Sequence, residues 1–231
     1  MYRILEKLVA IINSQYQQKR IMNFFENLNI EVAIDVGSHK GEFIDELLLK
    51  LKKVKEIHAF EPQKEIFKEL QYKYKNKKKI NLNNFALASK KGEAILNINK
   101  LSSASSIRIF NKKSLWYKFR NLLISEKNSV ILKKKIKVNT IDNYFNLRNI
   151  SSVDLLKIDV EGYELEVLKG ATKNMSNIKY IVVEFTRNNA FQNYNSKLVS
   201  EFLTKKNFRL ERKIIFPLLN FEDRIYKNYN K

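Results

Sequence analysis

Residues 153–170 read VDLLKIDVEGYELEVLKG, and the reading of this stretch decides the fold. Val153 to Val160 form a short, strongly apolar run that ends in acidic residues and a glycine turn. This is the pattern of a strand buried on both faces of a parallel sheet. A helix follows from about Tyr163 and stops near Gly170. Lys157, Asp159 and Glu161 alternate along the strand end, and period-two geometry aims all three at one face or edge. Ionisable groups at the tip of a buried strand are costly unless they are paired or used. Two readings are therefore open: a structural lysine–carboxylate network, or a site of chemistry.

The same grammar repeats on either side. Upstream, VAIDVG (Val32 to Gly37) is an apolar run ending in a turn, followed by a helix with Phe43, Ile44, Leu47, Leu48 and Leu51 on one side. KEIHAFEP (Lys55 to Pro62) reads as a second strand, with Pro62 suited to the first turn of a helix, where its missing N–H costs nothing. That helix shows Ile66, Phe67, Leu70 and Tyr74. Ile80 to Leu87 reads as a third strand, Glu93 to Ile98 as a further short one, Ile136 to Val138 as another, and Ile141 to Phe145 as a short helix. Downstream, Tyr180 to Phe185 is a central strand, a helix carries Val199, Phe202 and Leu203, and Phe208 to Arg212 and Asn220 to Tyr226 are candidate closing antiparallel strands. Alternating strands and helices imply an α/β fold: an open, mainly parallel sheet with helices on both faces. Such sheets bind ligands beyond the carboxyl ends of their strands.

Composition bounds the rest. The chain has 231 residues, 44% hydrophobic and 29% charged, which is ordinary for a globular domain and argues against wholesale disorder. There is no cysteine, which excludes disulfides, thiolate metal sites and a cysteine nucleophile. His39 and His58 are the only histidines, so a multi-histidine metal site is excluded too. The formal net charge of +20 has two open readings: a nucleic acid or anionic surface as partner, or solvated faces in a chain crowded with Lys, Asn and Ile.

At the start of the chain, Ile4, Leu5, Leu8, Val9, Ile12 and Tyr16 recur at helical spacing. They predict an amphipathic segment over 1–29 that packs on the main domain or lies on a membrane surface or partner. No secretory signal and no run of about 18 apolar residues is present, so a cytoplasmic protein is expected, peripheral membrane contact being the exception. Residues 99–135 fit the alternation worst. They hold SSASS (Ser102 to Ser106), then Trp116, Tyr117 and Phe119 interleaved with Lys112, Lys113, Lys118 and Arg120. A lid or substrate-binding insertion is one reading, since long excursions in compact domains tend to be functional. A peripheral helix with inward aromatics is the other.

Four segments carry candidate chemistry. Asp35-Val36-Gly37-Ser38-His39-Lys40-Gly41 delivers a carboxylate and a glycine turn from a strand into a helix. Its G-x-x-x-G pattern is not the G-x-G-x-x-G of dinucleotide sites, which places a nicotinamide oxidoreductase last. Phe60-Glu61-Pro62 sets a carboxylate at the next strand end, where two acceptor oxygens can chelate ribose hydroxyls. Asn84-Phe85-Ala86-Leu87 ends the third strand, where the chain could pass beside a purine. The fourth is the segment holding Lys157, Asp159 and Glu161.

In this order, DVGSHKG, FEP, NFAL, VNTIDNYF and LLKIDVEGYELEVLKGA resemble the FkbM-type S-adenosylmethionine-dependent methyltransferases, over roughly residues 20–187. The resemblance implies a Rossmann-like methyltransferase sheet, seven-stranded and mostly parallel, the last strand antiparallel. It implies a methyltransferase domain over 30–231 and S-adenosylmethionine as cofactor. It also implies O-methylation of a hydroxyl on a sugar, glycan or related natural product. Carried over by position, the cofactor residues are Asp35, Gly37, Ser38, His39, Gly41, Glu61, Pro62, Asn84, Ala86 and Asp159, with Ser105 and Ser106 nearby.

Methyl transfer to an alcohol needs alignment and a proton acceptor. Asp159, Glu161 and Glu184 are the candidates, with Lys157 holding a carboxylate in its charged form. Clustered carboxylates could instead hold a divalent metal, but no metal ligand set is assigned. An RNA methyltransferase is the enzyme alternative, on the strength of lysine clusters at 73–79 and 133–137, although an N-P-P-aromatic motif is missing. A non-catalytic nucleotide-binding module is the other.

Overall fold

The computed structural model describes residues 17–100, 102–114, 117, 130–186, 190–215 and 221–231. Six helices are described: α1 (Lys19–Phe25), α2 (Glu42–Lys50), α3 (Lys64–Tyr74), α4 (Ile141–Arg148), α5 (Glu164–Lys169) and α6 (Ser196–Lys205). The strands are β1 (Val32–Val36), β2 (Glu56–Phe60), β3 (Ile80–Asn83), β4 (Ala86–Leu87), β5 (Gly92–Asn99), β6 (Val130–Asn139), β7 (Val153–Ile158), β8 (Ile178–Thr186), β9 (Phe208–Ile215) and β10 (Phe221–Asn228).

Seven strands form one sheet in the order β3-β2-β1-β7-β8-β10-β9. All pairs from β3 to β8 are parallel, and β10 runs antiparallel to both β8 and β9. The chain starts at β1, winds outward through β3, then returns to the other side of β1 with β7. The strand order thus reverses between β1 and β7, the switch point where open α/β sheets leave a crevice at their carboxyl ends.

The alternation of side chains along each strand builds a core on each face. Ile34, Val36, Leu156, Ile158, Ile181 and Val183 pack with Tyr144 and Phe145 of α4, Val167 and Leu168 of α5, and Val199 and Leu203 of α6. The intervening residues Ala33, Leu155, Tyr180, Val182 and Ile225 pack with α1, α2 and α3. Local signals agree with these helices. Thr140 caps α4 by accepting from Asn143 N at 3.0 Å, and Asn149 ends it in the left-handed region at φ 53°. Asn195 caps α6 in the same manner, accepting from Lys197 N at 3.0 Å.

The structure revises several sequence expectations. The run expected as one strand over 80–87 is two: β3 joins the main sheet, and after Asn84 and Phe85 the chain turns away so that β4 joins a second sheet, β4-β6-β5. β6 begins at Val130, inside the stretch expected as an insertion, because it forms a long antiparallel ladder with β5. β7 ends at Ile158, two residues early, and Glu161 takes a left-handed backbone at φ 54°. Period two therefore does not extend to Glu161.

The expected helical positions Ile4, Leu5, Leu8, Val9, Ile12 and Tyr16 lie outside the described residues, as do Trp116, Lys118, Phe119 and Arg120. Tyr117 is buried and packs beside Phe110, their ring centroids 6.2 Å apart. Among the described residues, no helix is long and apolar enough to cross a membrane.

Ile21, Met22 and Phe25 of α1 are fully buried, and Phe25 meets Tyr180 edge-on at 5.4 Å. α1 is thus part of the core. Phe25→Ala should cost about 3–5 kcal/mol of folding free energy, the range for emptying a buried phenylalanine site, measured as a shift of the urea unfolding midpoint.

Candidate functional site

A cleft opens at the carboxyl ends of β1, β2 and β7, roofed by the small sheet. Its walls are mostly apolar: Val36, Phe60, Leu87, Leu96, Ile107 and Val160, with Tyr163. Its polar groups are few and come from the strand-end turns and a serine-rich loop.

Glu61 follows the last residue of β2 and is held from both sides. His39 N donates to its Oε2 at 3.0 Å and Gln63 N to its Oε1 at 2.7 Å. Asn84 Nδ2 secures its backbone carbonyl at 2.9 Å. The residue is 3% exposed, and burial pushes its carboxyl up to about 7 against the pull of those N–H donors. Each carboxylate oxygen has a second lone pair to offer a ligand, so a vicinal diol in the cleft would find two acceptors.

A strap formed by Ser102 to Ser106 crosses this cleft. Ser102 Oγ lies 2.8 Å from His39 Nε2, and Gln63 Nε2 donates to Ser102 O at 3.1 Å. Ser105 Oγ donates to Gln63 Oε1 at 3.2 Å, and Ser106 Oγ to Glu161 O at 2.6 Å. The strap is therefore tied to the turns after β1, β2 and β7.

The β1 and β7 ends meet closely. Asp159 N donates to Val36 O at 3.0 Å, and a Cβ on Gly37 would lie 1.9 Å from Asp159 O. Gly37 also has φ +87°, so glycine is required there twice over. Beneath this contact Lys157 Nζ lies 2.9 Å from Asp159 Oδ2 and 3.8 Å from Asp35 Oδ1. Burial opposes the Lys157 charge, but Asp159 and Asp35 outweigh it and hold the ammonium above its ordinary range. Burial also raises Asp35, to about 6, with the nearby Lys157 opposing.

Of the residues expected to act, Gly37, His39, Glu61, Pro62, Ala86, Asp159 and Glu161 line the cleft. The others stand back from it. Asp35 is fully buried under the Gly37 turn. Ser38 staples β1 to β2, accepting from Phe60 N at 3.1 Å and donating to Asp35 O at 2.9 Å. Gly41 starts α2 at φ +82°, where a Cβ would collide with the Tyr74 hydroxyl at 2.3 Å. Asn84 is exposed and supports Glu61 from behind. Lys157 is a buried counter-ion, and Glu184 sits on β8 beside the cleft. Gln63, Leu96, Ile107 and Tyr163 were not singled out in sequence. Gln63 follows FEP directly, but the other three reach the cleft only through the small sheet and the β7–α5 turn. Among the described residues, no group of three or more His, Asp or Glu is arranged to hold a metal ion.

The family model of the methyltransferase FkbM domain matches residues 35–210, more than half of the chain. This chain belongs to the FkbM methyltransferase domain family. No curated protein matches it. Among solved structures, the FkbM domain described here is similar to methyltransferase FkbM from Methylobacillus flagellatus KT, with 15% identity and a TM-score of 0.55. That match covers 86% of this chain and 44% of the other, so this chain spans less than half the length of that protein. Magnesium protoporphyrin IX methyltransferase from Synechocystis PCC 6803, solved with bound S-adenosylmethionine, shares 9% identity at a TM-score of 0.52, over 94% of this chain and 78% of the other. Fibrillarin from Methanococcus jannaschii, a pre-rRNA processing protein, shares 12% identity at 0.51, over 88% and 68%. At such identities the likeness is one of fold: the FkbM domain has the Rossmann-like sheet of S-adenosylmethionine-dependent methyltransferases.

The FkbM domain also buries carboxyls that resist ionisation. Glu164 opens α5 with Oε1 accepting from Gly162 N at 2.8 Å, and burial raises it to about 7. A carboxyl with a raised folded pKa favours the fold fully below its unfolded value, near 4.5, and loses that contribution as pH rises through about 7. Glu164→Gln keeps the acceptor and removes the charge. Its melting temperature should exceed the wild type's at about pH 8, and the gap should shrink steadily toward about pH 5, by scanning calorimetry.

Proposed function

We propose that the chain is an S-adenosylmethionine-dependent O-methyltransferase acting on a hydroxyl of a sugar, a glycan or a related natural product. The observation that carries the reading is Glu61: a carboxylate at the carboxyl end of β2, fixed by two backbone N–H groups and facing an apolar-walled cleft. Phe60, Leu87, Leu96 and Ile107 suit an adenine ring, and Glu61 suits its ribose diol. Gly37, Asp159 and Val160 would border the sulfonium end. When bound, S-adenosylmethionine supplies an electrophilic methyl group.

The chain's own residues align and deprotonate. The serine strap closes the cleft over its occupant and excludes water. Asp159 is already engaged in its ion pair with Lys157. Glu161 lines the cleft on a left-handed turn anchored by Ser106, and is the group proposed to accept the hydroxyl proton. The lysines of β6 speak less for RNA. Lys134 is tied to Glu65 at 2.9 Å and Lys135 to Glu93 at 2.6 Å, as on an ordinary solvated face.

Isothermal titration with S-adenosylhomocysteine tests the cofactor assignment. Affinity should be flat above about pH 8 and fall by up to about tenfold per unit below pH 7, as Glu61 takes up a proton and ceases to be a double acceptor. Glu61→Gln should weaken binding and flatten that profile. Equal binding and an unchanged profile in the variant would remove the assignment. For catalysis, Glu161→Gln should lower kcat by about 10²–10⁴-fold with cofactor affinity retained, in a methyl-transfer assay over a panel of polyhydroxylated acceptors.

A further inference from the structure

At the end of the sheet opposite the cleft, positive charge gathers in two adjoining turns. KKVK (Lys52 to Lys55) leads from α2 into β2, and KNKKK (Lys75 to Lys79) leads from α3 into β3. The turns touch where β2 and β3 begin side by side. Ile57 N donates to Lys79 O at 2.8 Å, and Lys79 Nζ to Val54 O at 3.0 Å. Lys52, Lys53, Lys77 and Lys78 are exposed, and their ammonium groups have no carboxylate partner among the described residues. Three acids nearby are already engaged. Glu26 pairs with Lys50 at 3.5 Å, Glu31 pairs with Lys55 at 2.6 Å, and Glu56 accepts from Asn81 Nδ2 at 3.0 Å. Lys134 and Lys135 of β6 are neutralised by carboxylates; these four lysines are not.

A second observation is apolar. Leu49 and Tyr72 lie in the last turns of α2 and α3, the helices that lead into the two basic turns. Leu49 is 57% exposed and Tyr72 76%, and Lys75 Nζ stands 4.7 Å from the Tyr72 ring centroid. The two helices pack side by side through the Tyr74 hydroxyl, which donates to Asp45 Oδ1 at 2.8 Å. Large apolar side chains thus protrude beside a cluster of unneutralised lysines. An anionic bilayer takes up both features at once. Its headgroups attract the lysines, its acyl boundary receives an aliphatic side chain, and tyrosine suits the level of the headgroups.

Position separates a lipid surface from a nucleic acid. The patch lies at the amino ends of β2 and β3, and the cleft at the carboxyl ends of the sheet, a strand length of about 15 Å away. A nucleic acid held by these lysines would sit on the far side of the domain from the cleft. Leu49 also offers no ring on which a base could stack.

We propose that this end of the domain docks on an anionic phospholipid bilayer. Lys52, Lys53, Lys77 and Lys78 contact the headgroups, and Leu49 and Tyr72 enter the interface. The cleft then opens away from the bilayer. No cleft residue takes part, so the docking is independent of the reaction.

Sedimentation of the full chain with lipid vesicles tests this. Vesicles of equal parts phosphatidylglycerol and phosphatidylcholine should bind the chain at least about tenfold more strongly than phosphatidylcholine alone, and the advantage should vanish at about 1 M salt. Lys52→Glu with Lys53→Glu, and separately Lys77→Glu with Lys78→Glu, should each lower binding by about tenfold or more. Lys133→Glu with Lys137→Glu, an equal change of net charge on β6, should lower it by less than about twofold. Leu49→Ser with Tyr72→Ser should lower it by about tenfold and leave the salt dependence in place. The melting temperature checks that each variant folds, and if one lysine pair does not, the other decides. No binding to the anionic vesicles, equal binding to both kinds, or a loss shared equally by the β6 variant would overturn the proposal. So would capture of a single-stranded RNA oligonucleotide by these lysines without binding of vesicles.

Discussion

The Lys157 ammonium lies between Asp35 and Asp159 at the point where β1 and β7 come together, and the rest of the site is built around that contact. A buried carboxylate, Asp35, and a half-buried one, Asp159, on neighbouring strand ends would repel one another at such close quarters. One buried cation between them lets the strands approach. The approach is so close that Gly37 can carry no side chain: the Asp159 carbonyl occupies the place of its Cβ. The turns after β1 and β7 are thereby fixed relative to each other, and the mouth of the cleft with them.

The remaining architecture serves to close and polarise that mouth. β2 carries Glu61 to the same level as the β1 turn, and backbone N–H groups from His39 and Gln63 hold its carboxylate. The small sheet roofs the cleft with Ala86, Leu87 and Leu96, and the strap that follows β5 reaches all three turns through serine hydroxyls and Gln63. Many of the buried polar groups thus gather at one end of the sheet, among them Asp35, Glu61, Lys157 and Asp223. The opposite ends of the strands show no comparable concentration among the described residues.

Much of this was legible in the residues. The run VDLLKIDVEG and its counterpart VAIDVG announced buried parallel strands, and both became central strands paired to each other. The acidic residue after β2 was legible because a carboxylate following an apolar strand and preceding proline has few structural reasons to be there. Less legible was the division of residues 80–87, since a change of sheet leaves the apolar pattern unbroken. The assignment of Ser38, Gly41 and Asn84 to ligand contact also stopped short of the geometry. Each sits next to a cleft residue in sequence, yet Ser38 and Gly41 turn inward to hold backbone and Asn84 supports Glu61 from outside. Adjacency in the chain does not say which way a turn faces.

The sequence by itself determined the α/β alternation, the family and the strand ends at which chemistry gathers. These follow from periodicities of two and of 3.6 residues and from polar residues placed where apolar ones belong. Only the tertiary structure decided that Lys157 is a counter-ion, that Leu96, Ile107 and Tyr163 wall the cleft, and that Glu184 faces Asp223. Those relations join residues tens of positions apart through strand order and register. Both are set by packing across the whole sheet, which no local pattern encodes.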